Sequence, residues 1–111
     1  MPTSIRCVSI NAKGLISSNM RHSILRWAHK QNADILLIQE THFPTHRKFP
    51  LTNRYYMRSF MAPSLDTKSK GVAIVLKANS PLTGITCTKD PQGRYISIQG
   101  NIGTKTYTFS S

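Results

Sequence analysis

Acidic side chains are scarce in this sequence. Its 111 residues hold fifteen lysines and arginines but only four carboxylates, Asp34, Glu40, Asp66 and Asp90, which gives a net charge of +11. So large an excess of positive charge attracts polyanions. The basic residues are spread between apolar segments, unlike those of a disordered basic tail. Nucleic acid is therefore the predicted partner, and a generic basic surface without a ligand is the alternative.

Cysteines and long apolar runs are also scarce. Cys7 and Cys87 are too few and too far apart to predict a zinc site. Both lie in strand-like segments, so we expect buried free thiols and an intracellular, reducing location. No run approaches the ~18 consecutive apolar residues of a transmembrane helix. The N-terminus also lacks the apolar core of a secretory signal, so we expect no membrane partner.

The N-terminal third of the chain predicts a β-α-β unit. Residues 5–10 alternate loosely and indicate a strand, and residues 35–38 form an apolar run typical of a strand buried on both faces. Between them, apolar residues recur with helical spacing from Met20 to about Gln31. This order favours an α/β fold, and the length allows one domain.

The rest of the chain predicts loops and five further strands. Two prolines and several basic residues in 42–53 indicate a loop, and the polar stretch 62–71 predicts a mobile connection. Asp90-Pro91-Gln92-Gly93 is a turn signal between two strands. Apolar or alternating patterns predict strands at 55–60, 71–77, 84–89, 94–99 and 104–109.

Polar side chains follow two of the predicted strands directly. Asn11 comes after CVSI, and Glu40 comes after ILLIQ. If these strands are parallel neighbours, their ends lie at one edge of the sheet, where α/β folds place their chemistry. A carboxylate among basic residues is then a suitable ligand for Mg²⁺, with the amide orienting it or binding weakly. The alternatives are a surface salt bridge for Glu40 and a turn or cap for Asn11.

Other side chains have competing interpretations. His42 and His46 are predicted to be solvated loop residues, and a zinc site that they form with Glu40 is the alternative. Trp27 is predicted to lie in the core rather than to stack on bases. The candidate contacts to nucleic acid are basic residues on the loops and strands: Lys13, Arg54, Arg58 and Lys70.

Four segments, taken in order, resemble the endonuclease/exonuclease/phosphatase superfamily, and most of all the apurinic-type endonuclease domain of LINE-type retrotransposons. They are CVSINAKGL at 7–15, DILLIQETHF at 34–43, KGVAIVLK at 70–77 and DPQGRYISIQG at 90–100. The resemblance implies an α/β fold, namely the N-terminal half of a four-layer α/β sandwich with a mixed sheet and one main helix. Residues 1–111 would form that partial domain.

The resemblance also implies an activity. Glu40 matches the family's Mg²⁺-binding glutamate, and Asn11 matches its active-site asparagine. Such enzymes hydrolyse phosphodiesters in DNA with Mg²⁺, or with Mn²⁺ in its place, and leave a 3′-hydroxyl that primes reverse transcription in the nucleus. Lys13 stands where relatives often carry Asn or Asp. It either attracts phosphate or disturbs the polar shell of the metal, and the sequence leaves both open.

The family's remaining catalytic motifs lie in a C-terminal half that this chain lacks. We therefore expect the isolated chain not to be an efficient catalyst. We also expect most of one sheet, with Leu36, Val72 and Ile74 left partly exposed, and marginal stability or aggregation as a result. The alternatives are a catalytically dead, basic DNA-binding remnant and a decayed open reading frame.

Overall fold

The structure, a computed structural model, describes residues 5–64 and 70–111. Half of the predicted mobile connection, residues 65–69 with Asp66, lies outside the described residues. Within these described residues, one helix and seven strands follow each other: β1 (Cys7–Asn11), α1 (Ser18–Lys30), β2 (Ile35–Gln39), β3 (Tyr56–Ala62), β4 (Val72–Lys77), β5 (Thr83–Lys89), β6 (Ile96–Ile102) and β7 (Lys105–Ser110).

The strands form two sheets. The first is mixed and has the order β1-β2-β4-β3, with β1 and β2 parallel and β4 antiparallel to both of its neighbours. The second is an antiparallel sheet with the order β5-β6-β7. The predicted β-α-β unit is therefore confirmed, and the fold is a mixed α/β structure with one helix.

The first sheet lies between two apolar layers, and the two-residue period of its strands explains how. On β4, Ala73 and Val75 face α1, whereas Ile74 and Leu76 face the second sheet. All four side chains are fully buried. A strand that is covered on both faces needs apolar residues at every position, which accounts for the unbroken apolar runs of β2 and β4.

The second sheet corrects two expectations. The chain supplies two sheets rather than most of one, and Leu36, Val72 and Ile74 are buried. Strands β5 to β7 cover the inner face of the first sheet, where Ile96 and Ile98 pack against Ile74. Leu36 points the other way and is buried beneath α1. The predicted exposure of these three residues is therefore wrong.

The edges of the first and second sheets correct the expectation that the two cysteines are buried. Cys7 and Cys87 are exposed rather than buried, because each lies on the outermost described strand of its sheet. Met20 is half-exposed, since the helix buries Ile24, Leu25 and Ala28 instead. Trp27 packs against the core, as predicted. No helix in the described part of the chain is both long enough and apolar enough to cross a membrane.

Candidate functional site

The ends of β1 and β2 lie side by side at one edge of the first sheet. Asn11 is opposite Gln39 in the parallel register. The pairing continues beyond the strands, because the Ala12 amide donates to the Gln39 carbonyl (2.9 Å) and the Gly14 amide donates to the Glu40 carbonyl (2.8 Å). The two chain segments therefore leave the sheet together, and this keeps Asn11 close to Glu40.

The side chains of Asn11 and Glu40 are in direct contact. Asn11 Nδ2 donates a hydrogen bond to Glu40 Oε2. Asn11 Oδ1 accepts a hydrogen bond from the Lys13 backbone amide (3.1 Å), which leaves the nitrogen of the side-chain amide facing the carboxylate. Asn11 thus orients Glu40, and its own oxygen is already engaged by the backbone.

Glu40 is held as an anion. The hydrogen bond from Asn11 is the largest of the influences that lower the pKa of its carboxyl group. Contacts with His42 and the charge of Lys13 lower this pKa further, while partial desolvation opposes them. The carboxylate form is the one that a metal ion requires.

The backbone around the site is unusual. Lys13, Glu40 and His42 have φ values of 53°, 54° and 61°, in the left-handed region that residues other than glycine rarely adopt. Such conformations cost of order 1–3 kcal/mol each and collect at functional sites. Three of them at one sheet edge show that the surrounding pairing holds the site in a fixed shape.

Gly71 is one of the residues that hold the backbone around Glu40 in this shape. The amides of Thr41 and His42 donate to the Gly71 and Lys70 carbonyls, both at 2.9 Å. A Cβ atom at position 71 would collide with the Thr41 hydroxyl, and the φ of +103° suits glycine alone. The residue that begins the GVAIVLK segment thus lets β4 approach the loop after Glu40.

His42 is not the solvated loop residue that was predicted. Its Nε2 atom is buried and lies 3.6 Å from Glu40 Oε1, which is longer than a direct hydrogen bond. Within residues 5–64 and 70–111 this atom has no hydrogen-bond partner. His46 is exposed, and the described residues contain no group of three or more His, Cys, Asp or Glu that could hold a metal ion. The zinc alternative is therefore wrong for this part of the chain.

A magnesium site with a single protein carboxylate fits the donors that are present. Mg²⁺ is usually bound by one or two carboxylates together with waters and substrate phosphate. Glu40 offers Oε1, which accepts no hydrogen bond from the described residues, while Oε2 is fixed by Asn11. Glu40 would hold such an ion and Asn11 would orient the carboxylate, and this assignment stays a prediction.

The structure divides the predicted nucleic-acid contacts into two groups. Lys13 and Lys70 belong to the segments that pair around Glu40, and both are exposed. Arg58 pairs with Leu76, which lies opposite Ile35 at the other end of β2. Arg54 is close to that end too, with its guanidinium 4.8 Å from the centre of the Tyr55 ring. Arg54 and Arg58 are thus remote from the site.

Gln39 is a residue that sequence reasoning missed. Its side-chain amide donates to Ser9 Oγ (3.1 Å) and to Ser111 Oγ (2.9 Å). Ser111 Oγ in turn donates to the Ile38 carbonyl (3.1 Å). Gln39 therefore joins the end of the second sheet to the edge that carries Glu40. The only signal in the sequence was a polar residue at the end of an apolar strand.

Comparison with known proteins identifies the fold. No protein-family model matches the chain. Among solved structures, the chain is similar to the AP endonuclease LMAP from Leishmania major, with a TM-score of 0.74 and 15% sequence identity. The similarity covers 96% of this chain and 38% of that protein, so the chain spans less than half of its length. The chain therefore has the fold of part of that protein, a mixed α/β sandwich.

Proposed function

We propose that this chain is the metal-binding N-terminal part of a divalent-metal-dependent DNA endonuclease of the LINE type. The observation that carries the proposal is the contact between Asn11 and Glu40 at the shared end of two parallel strands. The fold that the chain shares with an AP endonuclease and its net charge of +11 support the same conclusion.

Each residue of the site has a defined task in this proposal. Glu40 holds Mg²⁺, or Mn²⁺ in its place, and Asn11 keeps the carboxylate ionised and oriented. The bound ion supplies charge stabilisation at the scissile phosphate. Lys13 and Lys70 attract the phosphate backbone to the edge of the sheet. The location that follows from this activity is the nucleus, where the DNA lies.

Efficient hydrolysis requires groups beyond this site. Water activation needs a positioned base, and the only histidine beside Glu40 in the described residues is His42, whose Nε2 is buried against the carboxylate. We therefore expect the remaining catalytic groups to come from the C-terminal part of the domain. That part is the proposed protein partner, and DNA is the proposed substrate.

Metal binding at Glu40 tests the proposal directly. We expect Mn²⁺ to broaden the NMR signals of residues 11–13 and 40–42, and Glu40→Gln to abolish this broadening. Asp34→Asn is the matched control, because Asp34 lies at the opposite end of β2 and receives the Arg6 amide (2.8 Å). Broadening around residue 40 that survives Glu40→Gln, or plasmid nicking that survives it, would rule out the assignment.

A second candidate function is DNA binding without cleavage. The observation that favours it is the combination of a +11 charge with a single carboxylate at the site. It predicts binding that is strongly salt-dependent and independent of sequence, and no cleavage when the C-terminal part of a related domain is supplied. Nicking in that reconstituted assay would exclude it.

A further inference from the structure

A cleft of about 310 Å³ lies along the outer side of β3, beside the Glu40 site rather than at it. β3 is the outermost described strand of the first sheet. The loop that follows Phe43 forms one wall of the cleft, and Phe60 and Met61 on β3 form a second wall. Lys89, at the end of β5, lines the third side. Three separate parts of the chain thus build this cleft.

Aromatic rings form the floor of the cleft. Phe43 and Phe49 stack with ring centres 5.3 Å apart and planes 13° from parallel, and both are buried. Phe60 is half-buried and presents the accessible ring of the wall. Phe43 and Phe49 pack on the α1 side of the first sheet, whereas Phe60 packs on the side of the second sheet. Phe60 is therefore the ring on which a planar ligand can stack.

The mouth of the cleft is cationic. Arg47, Lys48 and Lys89 line it and are exposed, and no carboxylate is among the lining residues. The Arg47 guanidinium lies 4.8 Å from the centre of the Phe49 ring, so the charge is held over the aromatic floor. Asp90 follows Lys89 in the chain, but Arg94 Nε donates to its carboxylate (2.8 Å), so Asp90 leaves Lys89 unneutralised.

The cleft and the Glu40 site share one end of the first sheet. Ala62 at the end of β3 pairs with Val72, which pairs with Gln39. Two strand spacings amount to roughly 10 Å. That distance equals about three nucleotides at a rise of ~3.4 Å per nucleotide along one strand. A DNA strand at Glu40 therefore reaches the cleft a few nucleotides away.

We propose that this cleft binds an unstacked nucleotide of a single-stranded segment of DNA. Phe60 holds the base, and Arg47, Lys48 and Lys89 hold the phosphates on either side, which is the combination that single-strand binding sites use. An acidic peptide matches the positive charge alone and makes no use of the Phe60 ring. The proposal rests on the proposed function in taking DNA as the polyanion and in placing a DNA strand at Glu40.

A comparison of two ligands tests the role of the base. The first is a thymidine oligonucleotide of about twelve nucleotides, within the site sizes of ~4–16 nucleotides known for single-strand binders. The second is an abasic oligonucleotide of the same length and charge, and both are measured by fluorescence anisotropy in EDTA. We expect the abasic ligand to bind the full chain at least about five-fold more weakly, since stacking contributes ~1–3 kcal/mol per base. Equal affinities would overturn the proposal.

Variants locate the effect in the cleft. Phe60→Leu keeps an apolar side chain on β3, and we expect it to weaken thymidine binding about five-fold while leaving abasic binding unchanged. Tyr95→Leu is the control, because Tyr95 is a half-exposed aromatic residue outside the cleft. Lys48→Gln with Lys89→Gln leaves the core intact and should weaken both ligands. No loss in the double variant would overturn the proposal, even if Phe60→Leu proved unstable.

The outcome is separable from the proposed function. Glu40→Gln in EDTA should retain the full preference for thymidine over the abasic ligand, because the cleft does not include Glu40. A variant that loses metal binding but keeps this preference contradicts neither proposal. Polyglutamate of matched charge should compete poorly, and equal competition by polyglutamate would assign the cleft to acidic peptides and overturn the nucleotide proposal.

Discussion

At the scale of single residues, the side-chain amide of Asn11 orients the Glu40 carboxylate and lowers its pKa. Glu40 is about one-third exposed, yet its pKa is lowered chiefly by the hydrogen bond from Asn11. The Lys13 amide fixes Asn11 in turn, so the orientation of the side chain follows from the backbone turn after β1. A metal ligand that is ionised and aligned in advance loses less free energy on binding the ion.

Removing the Asn11 amide should raise the pKa of Glu40. In Asn11→Ala the largest influence that lowers this pKa is absent, and a ¹³C-detected carboxyl titration should show the pKa moving towards its ordinary value. Because the folded-state pKa is depressed, the stabilisation by Asn11 is present above the ordinary glutamate pKa of ~4.3 and disappears as pH falls through the folded-state value. Ser9→Ala is the control, since Ser9 bonds to Gln39. An unchanged Glu40 pKa in Asn11→Ala would contradict this account.

The sequence was sufficient to place Asn11 and Glu40 at the ends of two neighbouring strands. It was not sufficient to predict the contacts of the residues around them. Both follow strands directly, and the end of a strand fixes where a side chain begins. Gln39 and Ser111 are 72 positions apart, and their contact exists only because the second sheet folds over the first. The burial of His42 Nε2 depends likewise on pairing with the distant Gly71 segment. Local patterns contain no information about such long-range contacts.

At the scale of elements, the connection between β5 and β6 is an ion-paired turn. Asp90 accepts hydrogen bonds from the Arg94 backbone amide (2.9 Å) and from Arg94 Nε (2.8 Å). The Asp90 amide donates to the Tyr95 carbonyl (3.1 Å) and closes the turn. These bonds hold the pKa of the Asp90 carboxyl at about 2, with the Arg94 side chain as the largest cause.

Asp90→Asn should therefore destabilise the chain in a pH-dependent manner. The depressed pKa stabilises the fold above the ordinary aspartate value of ~3.9, and this contribution is lost as pH falls towards about 2. Urea unfolding should show the parent chain to be the more stable at pH 7, with the difference shrinking between pH ~4 and ~2. Gln99→Ala, an exposed position on β6, should show no such trend. A difference that is constant over this range would contradict the ion pair as the cause.

Helices and strands were predictable from the sequence where the apolar pattern matches the faces that the structure buries. Strands β2 and β4 have the unbroken apolar runs that two-sided burial requires, and the Asp90 turn has its own signal. Helical spacing places Met20 on the apolar face of α1, but it does not specify how far along the helix that face is covered. Beside β1, the outermost described strand of its sheet, Met20 stays half-exposed. The coverage of a helix is set by its neighbours, which the local sequence does not specify.

At the scale of the whole molecule, the second sheet provides the burial that was expected to be missing. Ile96 and Ile98 of β6 are fully buried against Ile74 and Leu76 of β4. The predicted marginal stability no longer follows from an uncovered inner face, because that face is covered by the chain itself. The two sheets share one core, so we expect them to unfold together.

Ile98→Ala should destabilise both layers at once. Truncation of a buried isoleucine typically costs about 2–5 kcal/mol. Ile85→Ala, at a half-buried position on β5, should cost less and serves as the matched control. In urea, Trp27 fluorescence reports the helix side and far-ultraviolet circular dichroism reports the whole chain, and both transitions should shift equally. A Trp27 transition left in place by Ile98→Ala would show that the sheets unfold independently.

The positive charge of the whole molecule is distributed over both ends of the first sheet, and only one end carries Glu40. We expect Lys13→Gln with Lys70→Gln to reduce the slope of log K against log[salt] for duplex DNA by about 1.8, because each phosphate contact contributes ~0.9. Arg54→Gln with Arg58→Gln removes the same charge from the remote end and should leave the slope nearly unchanged. Equal reductions by the two pairs, measured by anisotropy titrations from low to moderate salt, would mean that DNA contacts the protein at both ends. A larger reduction by the Lys13 and Lys70 pair would place the bound DNA across the edge where Asn11 meets Glu40, since a charge that binds no phosphate releases no counterion.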